Sequence, residues 1–531
     1  MERWNPPREP NRVEQILLKR LVRVRKLYSF LRLHRHELFD DGFQAELETM
    51  YRTTGAGVPA LPAAQLCMAM LLQGYSRISD AEAVEMTIVD RRWQMVLNCL
   101  DAQEPAFSQG TLQAFRERLI AADLDRRLLE RTIELARRTK EFDWKKLPKD
   151  LRLAVDSRPL VGAGRVEDTI NLLGHAARKV VAGAAKMLEM SVEEVCQGAD
   201  IPLLRHASVK AGLDINWSDP EQKDDAVNQL HEQITRLVGW IEKRQALLEE
   251  PLRPFLEAIA RVQEQDLEKR GGKMHVRQGV AEDRRISIED CDMRHGRKSK
   301  SKRFNGFKQH VGLDLDTDLI VACAVTPANR PEEEATPELK QDVERQQRQL
   351  SELHIDRAYV NSSLVEDVLA TGGEVLAKPW GMHNSQKLFT KRDFKLNMRD
   401  RTITCPAGQV ESFEPGDVVE FDPEACGACT LRGQCTHSAS GGRTVQIAED
   451  EQLQQRLRKL QGSSKGRERL RERVGIEHRL AHLSARQGPH ARYRGTRRNL
   501  FDLRRHAVIL NLETIQGRQS SQPKLRVALD S

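Results

Sequence analysis

LRLAVDS at residues 151–157 and LSELHIDRAY at residues 350–359 are the two stretches on which the fold turns. In the first, Leu151, Leu153 and Val155 alternate with Arg152, Ala154 and Asp156. That is the period-two pattern of a strand with one buried face. In the second, Leu353 and Ile355 are apolar, while His354 and Asp356 share the opposite face. Both stretches read as strands ending on an aspartate. If they are neighbours in one sheet, the two carboxylates meet at one edge. Carboxylates that close repel each other unless a divalent cation bridges them. Mg²⁺ (or Mn²⁺) takes hard oxygen ligands. Two such ions can activate an attacking oxygen and stabilise a leaving oxygen at phosphorus.

Outward from these stretches, the chain alternates between helical and strand patterns. RRISIED (284–290) is a strand candidate, and FKQHVGLDLDTDLIVACAVTP (307–327) reads as a hairpin turning near Asp316 to Asp318. ATPELKQDVERQQRQL and SSLVEDVLATGG read as helices and EVLAKP as a strand, an order that suits a mixed α/β sheet. Residues 1 to about 150 read as helical. Within them, SQGTLQAFRERL offers Ser108 as an N-cap, with Leu112, Phe115 and Leu119 on one face and Arg116 and Arg118 away from it. Such a helix could enter a DNA groove or simply be amphipathic. Val227, Leu230, Ile234, Leu237, Val238 and Ile241 have heptad-like spacing, predicting a helical insertion that packs on itself or on a partner subunit.

A third carboxylate is offered by Glu477 in RERVGIEHRLAHL (471–483). Ile476, Leu480 and Leu483 form an apolar stripe, so the segment reads as a helix with one buried face and Glu477 beside its edge. Arg473, one turn earlier on the side of Glu477, could hold a phosphate or orient the carboxylate. The chain has 78 Asp and Glu residues, most of them expected to be solvated, so an isolated strand-end aspartate needs context. Asp290, Asp292 and Asp314 are alternatives for the first carboxylate; Asp156 ends the cleanest alternating strand.

That context comes from four segments in order: LRLAVDSRPLVGAGRVEDTINLLG, FNGFKQHVGLDLDTDLIVACAVTPANRPEEEA, LHIDRAY and RERVGIEHRLAHL. The chain resembles the insertion-sequence DDE transposases, from about Leu61 to Leu512. It is similar to their long subgroup, the family numbered eleven eighty-two, with an N-terminal helical region and an interrupted ribonuclease H-like core. The resemblance implies that Asp156, Asp356 and Glu477 are the catalytic, metal-holding triad. It also implies binding to terminal inverted repeats. Three positions depart from the wider pattern: Arg357 and Ala358 stand where a Gly often follows the second Asp, Leu470 where many have Tyr, and Ser484, with Arg486 nearby, where many have Lys.

The expected fold is α+β or α/β, a ribonuclease H-like mixed sheet interrupted by insertions. Its expected parts are a helical DNA-binding region (1–148), the first part of the core (149–175), a helical insertion (176–275) and the continued core (276–395). A Cys-bearing insertion (396–447), C-terminal helices carrying Glu477 (448–515) and a mobile tail (516–531) complete the chain.

Nine cysteines scattered over a long chain argue against a disulfide framework. Cys405, Cys426, Cys429 and Cys435 lie in CPAG, CGAC and GQC within a Gly-rich, strand-poor stretch, and four thiolates could hold a structural Zn²⁺, with His437 as a spare ligand. The other reading is reduced structural thiols. The remaining cysteines read as small core residues.

The net charge is only +7, but Arg is dense from Arg456 to Arg505, in GRERLRERV, ARYRGTRRN and FDLRRH. Such charge suits a phosphate backbone or, with its interleaved acids, a solvated helix face. The acid-free loop MRHGRKSKSKRFNGFK places Arg297, Lys298, Lys300 and Lys302 where DNA contact is expected, with Lys308 and His310 continuing onto the strand. Trp380 could stack on an unpaired base or cap the core. Arg494, beside Tyr493, could contact the backbone.

MERWNPPREP has no apolar signal core and no membrane-spanning stretch follows, so a cytoplasmic, nucleoid-associated protein is expected. The expected chemistry is metal-assisted phosphoryl transfer on double-stranded DNA. Water frees a 3′-hydroxyl at the element end, and that hydroxyl attacks target DNA, with a homodimer joining two ends. The rival readings are a DNA-binding repressor without catalysis and a nuclease that cuts without joining.

Overall fold

The computed structural model describes residues 2–520 except 22–25, 52–59, 140, 141, 143, 144, 146, 245, 246, 248, 249, 300 and 383–387. Its centre is a six-stranded mixed sheet. We number its strands β1 (Leu151–Val161), β2 (Arg294–Arg297), β3 (Arg303–Asp314), β4 (Leu319–Pro327), β5 (Leu350–His354) and β6 (Glu374–Leu376). β1 lies between β3, antiparallel to it, and β5, parallel to it. β4 extends the antiparallel side through β3, β6 the parallel side through β5, and β2 pairs with the start of β3. The expected ribonuclease H-like mixed sheet is therefore present, and the β3–β4 hairpin turns where the sequence places it.

Two expectations about strands need correction. Asp156 does not end its strand, because β1 runs on through Pro159 to Val161. Pairing with β5 stops at Ala154 opposite His354, while pairing with β3 continues to Val161 opposite Gly306. Between Ala154 and Val161, where His490 bridges its other side, β1 thus has a ladder on one side only, and a strand with an open side tolerates a proline that lacks an N–H. Gly306 is required at the far end of this ladder. Its φ is +148°, and a Cβ there would lie 2.3 Å from both Gly162 N and Leu160 O. The other correction concerns RRISIED, which forms no strand. Ile286 and Ile288 are buried, but the segment has no ladder partner.

Helices surround the sheet. We number those used below α1 (Ala63–Ser76), α2 (Gln109–Ala121), α3 (Leu124–Arg138), α4 (Thr169–Met187), α5 (Pro220–Glu242), α6 (Arg253–Asp266), α7 (Thr336–Glu344), α8 (Val474–Gln487) and α9 (Thr496–Ser520). The N-terminal helices, the sheet, α8 and α9 share one hydrophobic cluster, from Trp4 to Ile515. α4, α5 and α6 form a separate cluster of their own, with Val227, Leu230, Ile234, Leu237 and Ile241 buried in it. The heptad-like face of α5 therefore packs within the insertion. A third, small cluster centred on Phe394, Ile403, Phe413 and Phe421 organises the Cys-bearing insertion. That stretch holds five three-residue strands between Lys395 and Gln446, more strand than its composition suggests.

α9 is central to the fold. It packs against β4, α3 and α1. The Asn511 side-chain amide donates to Ile320 O at 2.8 Å and accepts from Ile320 N at 2.8 Å, covering the outer edge of the sheet. Arg504 is fully buried and reaches Asp123 (2.8 Å) and Asp125 (3.2 Å) at the start of α3 and Asp342 (3.7 Å) on α7. Arg505 bonds to Gln73 on α1 and to Asp502. The FDLRRH run is thus an internal ion-pair seam, which corrects the expectation that it faces a phosphate backbone. Arg116 on α2 is corrected likewise: it is buried against Asp80 at 2.7 Å instead of pointing outward. The helix α9 continues to Ser520, so the first residues of the expected tail are helical, and residues 521–531 lie outside the described residues.

Candidate active site

The site lies where β1 and β5 part. In register, Arg152 stands opposite Glu352 and Ala154 opposite His354. One further period-two step brings Asp156 on β1 and Asp356, just past β5, to the same face at the mouth of the split. Asp356 caps a short 3-10 turn (Arg357–Tyr359), accepting from the Arg357 N–H at 2.8 Å. Asp156 accepts from the Ser157 N–H at 2.8 Å. Both aspartates are half-buried.

Glu477 arrives from α8. The stripe Ile476, Leu480 and Leu483 is buried against the core, and Glu477 stands exposed in the first turn, where the helix dipole favours an anion. Arg473 connects the two sides. Its Nη1 lies 3.1 Å from Asp156 Oδ2 and its Nη2 3.0 Å from Glu477 Oε1. One guanidinium therefore bridges the first and third carboxylates. Burial raises the Asp156 carboxyl above its ordinary range, Arg473 opposes that, and the nearby charges of Asp356 and Glu477 raise it further. Three carboxylates thus sit within each other's field. The hard-oxygen donor set is of the type a divalent ion takes, with a guanidinium holding two of its members and the three carboxylates not gathered within 4.8 Å of one another.

Several supporting residues were missed in the sequence. Arg158 is buried beneath the site. It donates to Ser484 Oγ at 2.9 Å and to Gly488 O at 3.2 Å at the end of α8, and to Gln309 Oε1 at 2.9 Å on β3. It fastens the Glu477 helix to β1, and burial lowers its guanidinium to about 10. Ser484, where a lysine was expected, is its partner, and Arg486 is turned inward to Glu513 and the Tyr75 ring. Tyr359 is buried behind both aspartates, and its hydroxyl lies 2.6 Å from His310 Nδ1. The only available signal was position: Arg158 and Tyr359 follow the two aspartates within three residues.

A further acidic group, Glu352, His354 and Glu472, has ligand atoms all within 4.8 Å of one another, a compactness no other group of such residues reaches among the described residues. Arg152 and Arg469 already neutralise it, with Arg152 Nε and Arg469 Nη2 each 3.1 Å from Glu352. It reads as an ion network behind the site.

The residues expected to meet DNA divide. Arg297, Lys298 and Lys302 are exposed at the β2–β3 hairpin tip, roughly 25 Å along β3 from the carboxylates. Lys300 lies outside the described residues. Lys308 is engaged by Arg330 O at 2.6 Å and Glu332 at 3.1 Å. His310 is corrected: it is fully buried, bonded to Tyr359 and to Thr326 Oγ1, and cannot reach a phosphate. Arg494 is exposed and paired with Glu289 at 2.7 Å. Trp380 is 48% exposed, so it does not cap the core. It lines a groove with Val365, Leu369 and Arg456.

The alternative carboxylates have other tasks. Asp290 accepts from the Gly495 N–H and Asp292 from the Thr496 N–H, at the start of α9. Asp314 is held by Arg348 at 2.6 Å.

Two family models match the chain: the Transposase domain (DUF772) over residues 21–118 and the Transposase DDE domain over residues 404–516. Both matched stretches are transposase domains. The DDE match contains Glu477 and the four clustered cysteines; Asp156 and Asp356 lie outside both matches. A transposase DDE domain implies a polynucleotidyl transferase-type enzyme acting on DNA. No curated protein and no solved structure matches the chain. Among the described residues, no helix is long and apolar enough to cross a membrane.

Proposed function

We propose that this transposase-type chain is an insertion-sequence DDE transposase of the subgroup numbered eleven eighty-two. On this reading it binds terminal inverted repeats and catalyses metal-dependent DNA cleavage and strand transfer, with Asp156, Asp356 and Glu477 as the catalytic carboxylates. The observation that carries the reading is the single guanidinium of Arg473 between Asp156 and Glu477, with Asp356 beside them at the split of the sheet. Mg²⁺ or Mn²⁺ held by these carboxylates would polarise the attacking and leaving oxygens at phosphorus.

The chain's own residues supply the geometry. β1 and β5 fix the two aspartates on rigid elements, and Arg158 locks the helix that brings Glu477. Arg473 pairs with Asp156 and Glu477 here; with a divalent ion bound by the carboxylates, its guanidinium would be free to take a phosphate. The exposed Arg297, Lys298 and Lys302 hairpin suits backbone contacts flanking the cut. Working as a homodimer on two DNA ends in the cytoplasm, at the nucleoid, completes the reading.

The test incubates purified protein with a labelled inverted-repeat end, a target plasmid and Mg²⁺. Cutting and joining is the expected result. Asp156→Asn, Asp356→Asn and Glu477→Gln should each lose about 10³-fold or more of cleavage while retaining end binding. Wild-type cleavage by Asp156→Asn would remove the first ligand. Cutting without joining would make the protein a nuclease, and binding alone a repressor.

A further inference from the structure

We infer that Cys405, Cys426, Cys429 and Cys435 form a structural zinc site that holds the small insertion together, independently of the carboxylate site. The four thiols, free of disulfides, line one cavity of about 330 Å³ between a strand turn and two short helices.

Each side of the cavity is shaped to present sulfur. Cys405 begins a tight turn: its N–H donates to Gln409 O at 2.8 Å, and its Sγ accepts from the Gln409 N–H at 3.3 Å. Gly408 completes the turn at φ +94°, in the left-handed region. On the opposite side, Cys426 and Cys429 bracket the end of the helical turn Pro423–Gly427, and Cys429 Sγ accepts from the Leu431 N–H at 3.4 Å. Backbone N–H groups thus meet two of the four sulfurs at the turns that carry them. The neighbouring arginines hydrogen-bond to backbone carbonyls and to none of the sulfurs. Arg443 donates to Cys435 O and Phe389 O, and Arg432 to Ser438 O.

The insertion also needs a staple. Its core is seven buried apolar side chains on or next to strands of three residues, too few to hold a fold by burial alone. Four sulfur donors without a carboxylate select a soft, tetrahedral ion, which makes zinc the fit and Mg²⁺ the misfit. No three of the four sulfurs lie within 4.8 Å of one another, so coordination requires the turns that carry them to close on the ion. Binding replaces four S–H bonds with four Zn–S bonds, releasing the protons to solvent without redox change.

The experiment uses full-length protein purified under reducing conditions. Elemental analysis should find about one zinc per chain, and Cys426→Ser with Cys429→Ser should lower it severalfold. Substitution of the wild-type protein with Co²⁺ should give the absorption of a tetrahedral cobalt thiolate. Because the double variant could fail to fold, zinc is also stripped from wild-type protein with a chelator. New protease cleavage should then appear within residues 388–447 and disappear on adding zinc chloride. Protein that contains no zinc, takes up no Co²⁺ and shows the same cleavage with and without chelator would overturn the inference. Disulfide formation among the four thiols in protein kept reduced would overturn it equally.

Discussion

At the residue scale, two buried histidines tie the stability of the protein to pH. Burial lowers His310 on β3 to about 3, and His506 on α9 to about 3 as well. The unfolded chain protonates each near pH 6.5, so the folded state binds fewer protons below that value. Stability is complete above about pH 6.5 and falls as pH drops toward 3, by about 1.4 kcal/mol per pH unit for each histidine. Urea unfolding between pH 7 and pH 4.5 should show this slope, and His310→Gln should flatten it by one histidine's share. An unchanged slope in that variant would mean that His310 takes up its proton in the folded protein. His310 deceived in the sequence because a histidine two residues after a lysine on a strand resembles one basic surface. The strand is central, so both of its faces are covered. That LRLAVD and LHID are neighbouring strands was legible from their alternating apolar positions, although Ala154 and His354 on the other face are buried as well. Glu477 is legible because the stripe of Ile476, Leu480 and Leu483 fixes which way the helix faces.

At the scale of elements, the informative failures are RRISIED and FDLRRH. RRISIED alternates like a strand, yet a strand exists only if another chain segment offers it a ladder, and none does. FDLRRH has the composition of a basic surface, yet its acids are supplied from far away: Arg504 and Asp125 are 379 residues apart in sequence. Charge density along a chain says nothing about such partners. α9 therefore contributes to stability through buried pairs. Arg504→Ala removes one of two cations from each aspartate, leaving Asp125 to Arg497 and Asp342 to Arg126, and should cost about 1–3 kcal/mol, read as a lower urea midpoint at constant slope. A loss below about 1 kcal/mol would show that the seam is solvated or easily rearranged. Arg498, paired with Glu117 at the surface of the same helix, is the control, and Arg498→Ala should change little.

At the scale of the molecule, the order of strand and helix patterns predicted a mixed sheet among helices, and the structure adds how they share their cores. The N-terminal helices bury their apolar faces in the same cluster as β1, β3 and α9, whereas α4 to α6 bury theirs in a separate one. Native-state hydrogen exchange should follow this division. Amides of α1, α3, β1 and β3 should open together with one free energy, and those of α4 to α6 with another. Opening of α1 and α3 well before the sheet would show that the shared cluster does not couple them.

The placement of α9 has a consequence for biosynthesis. A ribosome emits β1 long before it emits Thr496, yet the sheet's outer edge and the N-terminal helices await that last helix for their buried partners. A nascent chain that ends between Glu477 and Thr496 therefore carries Asp156, Asp356 and Glu477 without a finished scaffold to aim them. On the proposed reading, a chain that stops short of this helix is expected to leave DNA uncut.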